Sequence, residues 1–298
     1  WSVGNELTNH NEYAKLTMDY VREMDPNRLV TCVSNSGQKK EATRETDPNT
    51  EVDIIMHNMY SWQGEPQVII DKLRSEWPEK PIFISEYGFD PYPTTSLDGD
   101  QQIFSDWNEH WRGKNEFVIG GSLWTFNDYR SSYAATSQEE NRVWGLINVW
   151  RQKRRMFNRV AKEFSPIKNI EVKNLSISNN KAAIEIPIRG LNDYPSYSLT
   201  GYKLKWNFRA LDGTIIEEKT QDLPNINPAD KVWKGEISWK KLPNELLDLR
   251  LQLVSPTGYV RYEKVIPFSV PKSPVISEID LGNKSVRVLF QKVPGATE

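Results

Sequence analysis

Five short runs constrain the first half of this chain more than anything else in it. Each is almost wholly apolar. They are Trp1-Ser2-Val3-Gly4-Asn5-Glu6, Leu29-Val30-Thr31-Cys32-Val33, Val52 to Tyr60, Pro81 to Gly88 and Gly120 to Asp128. A strand with one wet face alternates polar and apolar residues, whereas a continuous apolar run implies burial on both faces, as in a parallel sheet covered by helices. Amphipathic stretches lie between the runs. Asn11 to Met24 places Tyr13, Leu16, Tyr20 and Met24 on one helical face, and Asp25-Pro26-Asn27 stops it. Pro66 to Trp77 follows, with Val68, Ile69, Leu73 and Trp77 expected inward and Pro66 suited to a first turn, and Gln101 to Trp111 is expected to be a third helix. The predicted class is therefore α/β. If the sheet is a (β/α)₈ TIM barrel, the five runs are its strands four to eight and three more precede Trp1.

From about Asn169 the pattern changes to short alternating runs: Ile170 to Val172, Ala182 to Ile188, Tyr202 to Phe208, Gly235 to Trp239, Leu249 to Val254 and Val265 to Val270. With turn signals at Asp212-Gly213 and Pro256-Thr257-Gly258, this predicts an all-β, immunoglobulin-like sandwich. The expected organisation is a C-terminal barrel portion over 1–165, a sandwich over 169–270, and, over 271–298, a linker at Pro271-Lys272-Ser273-Pro274 and the start of a further β module at Val286 to Phe290. The chain begins without Met inside an apparent strand and stops as a new strand series begins, so both ends are expected to be cut. A periplasmic or secreted location is expected if a signal peptide precedes the sequence.

Composition excludes some partners. A net charge of -2 offers no basic stripe for nucleic acid or anionic lipid. No run reaches the ~18 apolar residues of a membrane span. The single cysteine, Cys32, lies in an apolar run and reads as a small buried hydrophobe. Eleven Trp and twelve Tyr are an excess of rings that can stack on sugar faces. His10 and His57 have no partner at metal-ligand spacing, and no phosphate-binding glycine loop or Gly-x-Ser-x-Gly elbow is present.

In a (β/α)₈ barrel the C-terminal strand ends converge on one face, and Glu6, Tyr60, Glu86 and Trp124 all fall at such ends. A carboxylate on a buried strand loses hydration, so two of them point to a site that needs them. Paired carboxylates suit glycoside hydrolysis: one protonates the leaving oxygen, and the other attacks the anomeric carbon or activates water. Their separation, about 5 Å or about 6.5 to 9.5 Å, decides between retention and inversion.

Trp1 to Glu6, Asp53 to Tyr60, Pro81 to Tyr87 and Gly120 to Trp124 resemble, in order and spacing, the barrel of the glycoside hydrolase family 2 enzymes, which include β-galactosidases, β-glucuronidases and β-mannosidases. The resemblance covers about residues 1–165. It implies a retaining mechanism, with Glu6 as general acid/base, Glu86 as nucleophile, Asn5 on the sugar 2-hydroxyl, Tyr60 orienting the nucleophile and Trp124 stacking on the sugar. The expected substrate-binding set is Asn5, His57, Tyr60, Trp124 and Asn127, with no metal and no cofactor. Family β-glucuronidases carry an Asn-x-Lys motif after the last strand; the counterpart here, Asn141-Arg142-Val143, has Val in place of Lys. That departure disfavours a glucuronide substrate, although Arg130 or Arg142 could pair with a carboxylate; Phe89-Asp90-Pro91-Tyr92 departs in turn from the best-known β-galactosidase pattern, and the leading expectation is an exo-acting, β-galactosidase-like enzyme. An endo-glycanase of the same barrel type is one alternative. The other is a non-catalytic fragment whose sandwich serves as a spacer or carbohydrate-binding module.

Overall fold

In the computed structural model, residues 1–60, 63–88, 114–131, 141–142, 144–243, 246–268, 276–282 and 285–290 are described. The chain forms two compact units, Trp1–Val160 and Ala161–Glu298.

The first unit is built on parallel strands β1 (Ile55–Met59), β2 (Ile82–Tyr87) and β3 (Val118–Leu123), hydrogen-bonded in the order β1-β2-β3. The first two apolar runs extend this sheet through parallel bridges, Ser2 with Thr31, Leu7 with Ser34, and Val33 with Met56. Backbone bonds such as Val3 N to Thr31 O (2.8 Å) and Val33 N to Gly4 O (2.9 Å) hold them in register. They are bridged segments and not full strands, and the first run turns at Glu6, whose φ of 52° is left-handed. Five parallel segments therefore lie side by side, as the apolar runs predict, and among the described residues they do not close into a barrel. Small antiparallel strands β4 (Tyr129–Arg130) and β5 (Asn141–Arg142) pair beyond the end of β3.

Helix α1 (Asn11–Met24) has the predicted bounds, and the apolar face read from its spacing is the exposed one. Ala14 and Met18 are its buried residues, and Tyr13, Leu16, Tyr20 and Met24 are exposed. Two apolar stripes run down this helix, and the one carrying the small Ala14 lets the backbone approach its neighbours most closely. In α2 (Pro66–Glu76) the buried set is Pro66, Ile69, Ile70 and Leu73, with Trp77 just beyond the helix. These residues follow i, i+3, i+4, i+7 and i+11, and Val68, about 100° round from Ile69, faces solvent. The third predicted helix, Gln101 to Trp111, lies outside the described residues. A later helix, α3 (Arg155–Glu163), follows β5.

The second unit contains two antiparallel sheets. One has the order β10 (Val232–Ser238), β7 (Lys181–Pro187), β6 (Glu171–Ser176); the other has the order β12 (Val260–Pro267), β11 (Asp248–Val254), β8 (Lys203–Arg209), β9 (Ile215–Asp222). Alternate residues from both, among them Ile184, Ile186 and Ile237 on one side and Leu204, Phe208, Leu249 and Leu251 on the other, enter one shared core. Trp206 and Trp239 belong to that core. Gly213 and Gly258, at φ 86° and 84°, make the turns into β9 and β12 that require a left-handed residue. Strand β9 was not anticipated, because Ile215-Ile216-Glu217-Glu218-Lys219 is mostly polar and its side chains are largely exposed. Strands β13 (Ile276–Gly282) and β14 (Ser285–Phe290) form an antiparallel hairpin that takes in Val286 to Phe290. The expected linker at Pro271 to Pro274 lies outside the described residues.

Candidate active site

Parallel pairing sets the site. Asn58 on β1 sits opposite Glu86 on β2, and Tyr87 pairs with Leu123 on β3, so the C-terminal ends of the three strands fall together. The Trp124 amide donates to Tyr87 O (2.8 Å), fixing Trp124 beside the end of β2.

Two hydrogen-bonded groups meet there. Tyr60 Oη donates to Glu86 Oε2 at 2.7 Å. Asn58 Nδ2 lies 3.2 Å from both Asn5 Oδ1 and Glu6 Oε1, and its own Oδ1 accepts from Ser85 Oγ at 2.7 Å. The structure thus brings Asn5, Glu6, Tyr60 and Glu86 to one place. Glu6 stands in the left-handed region, where a non-glycine residue costs about 1 kcal/mol and persists only when its surroundings hold it. Asn58 and the bond from Leu7 N to Val33 O (3.0 Å) supply that hold.

Burial pushes the Glu86 carboxyl above its usual range, and the charge of Glu6 adds to the rise; the Tyr60 hydroxyl and the Asn58 amide oppose it. Burial, and the carboxylate it serves, hold the Tyr60 proton far above the ordinary phenol range. Tyr60 is therefore a permanent donor to Glu86 at any physiological pH. An ionised carboxylate with such a donor can act as a nucleophile, and a second carboxylate beside it can exchange a proton.

Trp124 is partly exposed, and its Nε1 donates to Tyr129 Oη at 3.2 Å. The Trp124–Thr125 peptide is cis. Asn127 stands just beyond, its side chain bonded to Arg151 and to the carbonyl of Asp128. His57 does not join the group. It is 1% exposed, burial lowers its imidazolium to about 4, and the Ser34 backbone only partly opposes this, so it is a neutral core side chain next to Asn58 along β1. The expected place of His57 at the substrate surface is therefore not the one it takes: on a pleated strand neighbouring residues turn to opposite faces, and Asn58 is the one on the side of the site.

Asn58 and Tyr129 were missed. The signal for Asn58 was a polar amide inside an apolar strand, two residues before Tyr60, on the alternation that leads to the strand end. Among the described residues no group of three or more His, Cys, Asp or Glu could hold a metal ion, and no helix is long and apolar enough to cross a membrane.

The profile of Glycosyl hydrolases family 2, TIM barrel domain, matches residues 1–169. The chain belongs to this family. β-Glucuronidase of Homo sapiens is 28% identical over 174 residues, covering 51% of this chain and 26% of the relative. That of Rattus norvegicus is 30% identical over 168 residues, covering 49% and 24%. This glycosyl hydrolase sequence therefore spans about a quarter of the length of the curated relatives it matches. Among solved structures, the β-D-glucuronidase of Dictyoglomus thermophilum has a TM-score of 0.41 at 22% identity, over 52% of this chain and 29% of that one.

Proposed function

We propose that this family 2 chain carries the catalytic centre of an exo-acting retaining β-glycosidase that releases terminal β-linked sugars. The observation that carries the reading is the paired arrangement at the strand ends: Asn58 tied to Asn5 and Glu6, and Tyr60 donating to Glu86. In the first step the Glu86 carboxylate attacks the anomeric carbon while Glu6 gives its proton to the departing glycosidic oxygen, leaving a glycosyl ester on Glu86. In the second, Glu6 takes a proton from water, the water oxygen bonds to the anomeric carbon, and Glu86 leaves as a carboxylate. Asn5 binds the sugar 2-hydroxyl, Trp124 supplies the stacking face, and Asn127, held by Arg151, borders the pocket. The barrel portion extends over 1–165, and the seven strands that follow, in orders β10-β7-β6 and β12-β11-β8-β9, support an immunoglobulin-like sandwich over 169–270.

For the sugar, Val143 in place of the Asn-x-Lys lysine counts against a β-glucuronide and leaves a β-galactoside as the first reading. A β-glucuronide is the second reading, favoured by the relatives named above and by the guanidinium of Arg142 near Tyr129. Assay of the full-length protein with 4-nitrophenyl β-galactoside, β-glucuronide and β-mannoside tests both. We expect turnover with a β-configured first product and its loss in Glu86→Ala. Hydrolysis of none of the three, or unchanged turnover in Glu86→Ala, overturns the proposal.

A further inference from the structure

Tyr129 opens β4, five residues after Trp124, and its hydroxyl is unusually constrained. Trp124 Nε1 donates to Tyr129 Oη at 3.2 Å, and Arg142 Nη1, from the paired strand β5, donates to the same oxygen at 3.2 Å. Rings fix the group further. Tyr129 meets Trp124 edge to face at 5.8 Å and Trp144 at 6.2 Å, and the Arg142 guanidinium lies 4.4 Å over the Trp144 ring.

A phenol oxygen has one proton to give and two lone pairs to fill. Trp Nε1 and a guanidinium are donors only, so both lone pairs of Tyr129 are taken and its own proton must go outward. Among the described residues no acceptor receives it. The ring that defines this direction, Trp124, is the one proposed to stack on the sugar, and its backbone is bonded to Tyr87, next to Glu86.

We propose that Tyr129 is a substrate-binding residue whose hydroxyl, locked as a donor by Trp124 and Arg142, gives its proton to a ring-substituent oxygen of the sugar seated on Trp124. The assignment rests on the glycosidase reading and deepens it. The partner it requires is an acceptor oxygen at one ring position, so discrimination falls on that position and not on the sugar as a whole. Arg142 is a positioning residue here: it acts through the oxygen it fills.

The test uses the full-length protein and the aryl β-glycoside that the wild type turns over best, with its set of monodeoxy analogues. Losing one neutral hydrogen bond corresponds to a fall in kcat/KM of about threefold to tenfold. We expect Tyr129→Phe to show that fall on the parent glycoside, to lose nothing on one analogue, which is already slow with the wild type, and to fall as usual on the others. A uniform loss across all analogues means that Tyr129 only props Trp124 and overturns the proposal, as does no loss on the parent. A wild type that turns over no aryl β-glycoside overturns the glycosidase reading itself, a separate outcome. A Tyr129→Phe variant that does not fold is replaced by Tyr129→Leu, which also removes the phenol proton and introduces no other donor; the same single-analogue pattern is expected, and a uniform loss again overturns the assignment.

Discussion

Tyr60 on the β1 side donates its phenol proton to Glu86 on β2, at 2.7 Å, and this bond counters the burial that raises the Glu86 carboxyl. A hydrogen bond to the ionised form lowers a carboxyl pKa, so removing it must let the pKa climb. The acidic limb of kcat/KM reports the group that has to be ionised in the free enzyme. Tyr60→Phe should therefore move that limb upward by about one to two pH units, since a bond to a charged group contributes about 1.5–3 kcal/mol and one unit equals about 1.4 kcal/mol. A pH profile of Tyr60→Phe with an unmoved acidic limb would show that the bond does not tune Glu86.

Asn58 holds three groups at once, so its loss should exceed that of a single hydrogen bond. Asn58→Ala frees Asn5, Glu6 and Ser85 together. We expect kcat/KM to fall by about a hundredfold, in the range that misplaced catalytic groups produce. Asn58→Asp should be worse at neutral pH and partly recover in acid. A third carboxylate beside Glu86 raises its pKa and, once protonated, again presents a neutral donor. Equal activity of the Ala and Asp variants at every pH would contradict this.

Linkage gives Glu86 a second consequence. Its folded pKa is raised, so the native state binds the proton more tightly than the unfolded chain does. The ionised form therefore costs stability, and the cost appears as pH rises through the folded pKa. Glu86→Gln should raise the melting temperature at pH 7, with the gain disappearing below about pH 4, near the unfolded glutamate value. A thermal scan of the pair at both pH values decides, and an equal gain at both would remove the electrostatic cause.

These expectations depend on strand ends, and the strand ends were the part legible in the sequence. Glu6, Tyr60, Glu86 and Trp124 could be placed because buried parallel strands read as apolar runs, and each of the four stands at or just past the C-terminal end of one. Which side of a strand or helix faces the site is a finer question that hydropathy alone does not answer. His57 and Asn58 are both polar and adjacent, and only the pleat separates the core imidazole from the bridging amide. Helix α1 offers two apolar stripes, and periodicity cannot rank Ala14 and Met18 above Tyr13, Leu16, Tyr20 and Met24. Tyr129 was out of reach for another reason: its constraint comes from Arg142, thirteen residues on, through a strand pair too short to leave a pattern.

Cys32 gives an inexpensive check of the first unit. It is fully buried, and burial raises its thiol to about 12. The thiolate is the reactive form, so native protein should not react with Ellman's reagent at pH 8, and one thiol should appear on denaturation. Rapid labelling of native protein would mean that this strand segment opens.

Asp128 and Arg154 carry the segment between β3 and β4, and with it Tyr129. Arg154 donates to both carboxylate oxygens of Asp128 (2.6 and 2.7 Å) and to Gly145 O (2.6 Å), while Gly145 N donates to Asp128 Oδ1 (2.8 Å). The Asp128 side chain is 4% exposed. Removing one member of a buried pair leaves a charge without compensation, which costs about 3–5 kcal/mol, whereas replacing both by apolar groups of like shape is often neutral. Arg154→Ala should therefore lose about 3 kcal/mol in urea unfolding, and Asp128→Leu with Arg154→Met should recover most of it. Gly145→Ala should be at least as damaging. Its added methyl would overlap the backbone nitrogen of Asp128 and the carbonyl of Ile147, neither of which can move without breaking the pairing of Asp128 N with Ile147 O (3.1 Å). A double variant no more stable than Arg154→Ala would place the cost in lost packing of the arginine stem and not in the stranded carboxylate.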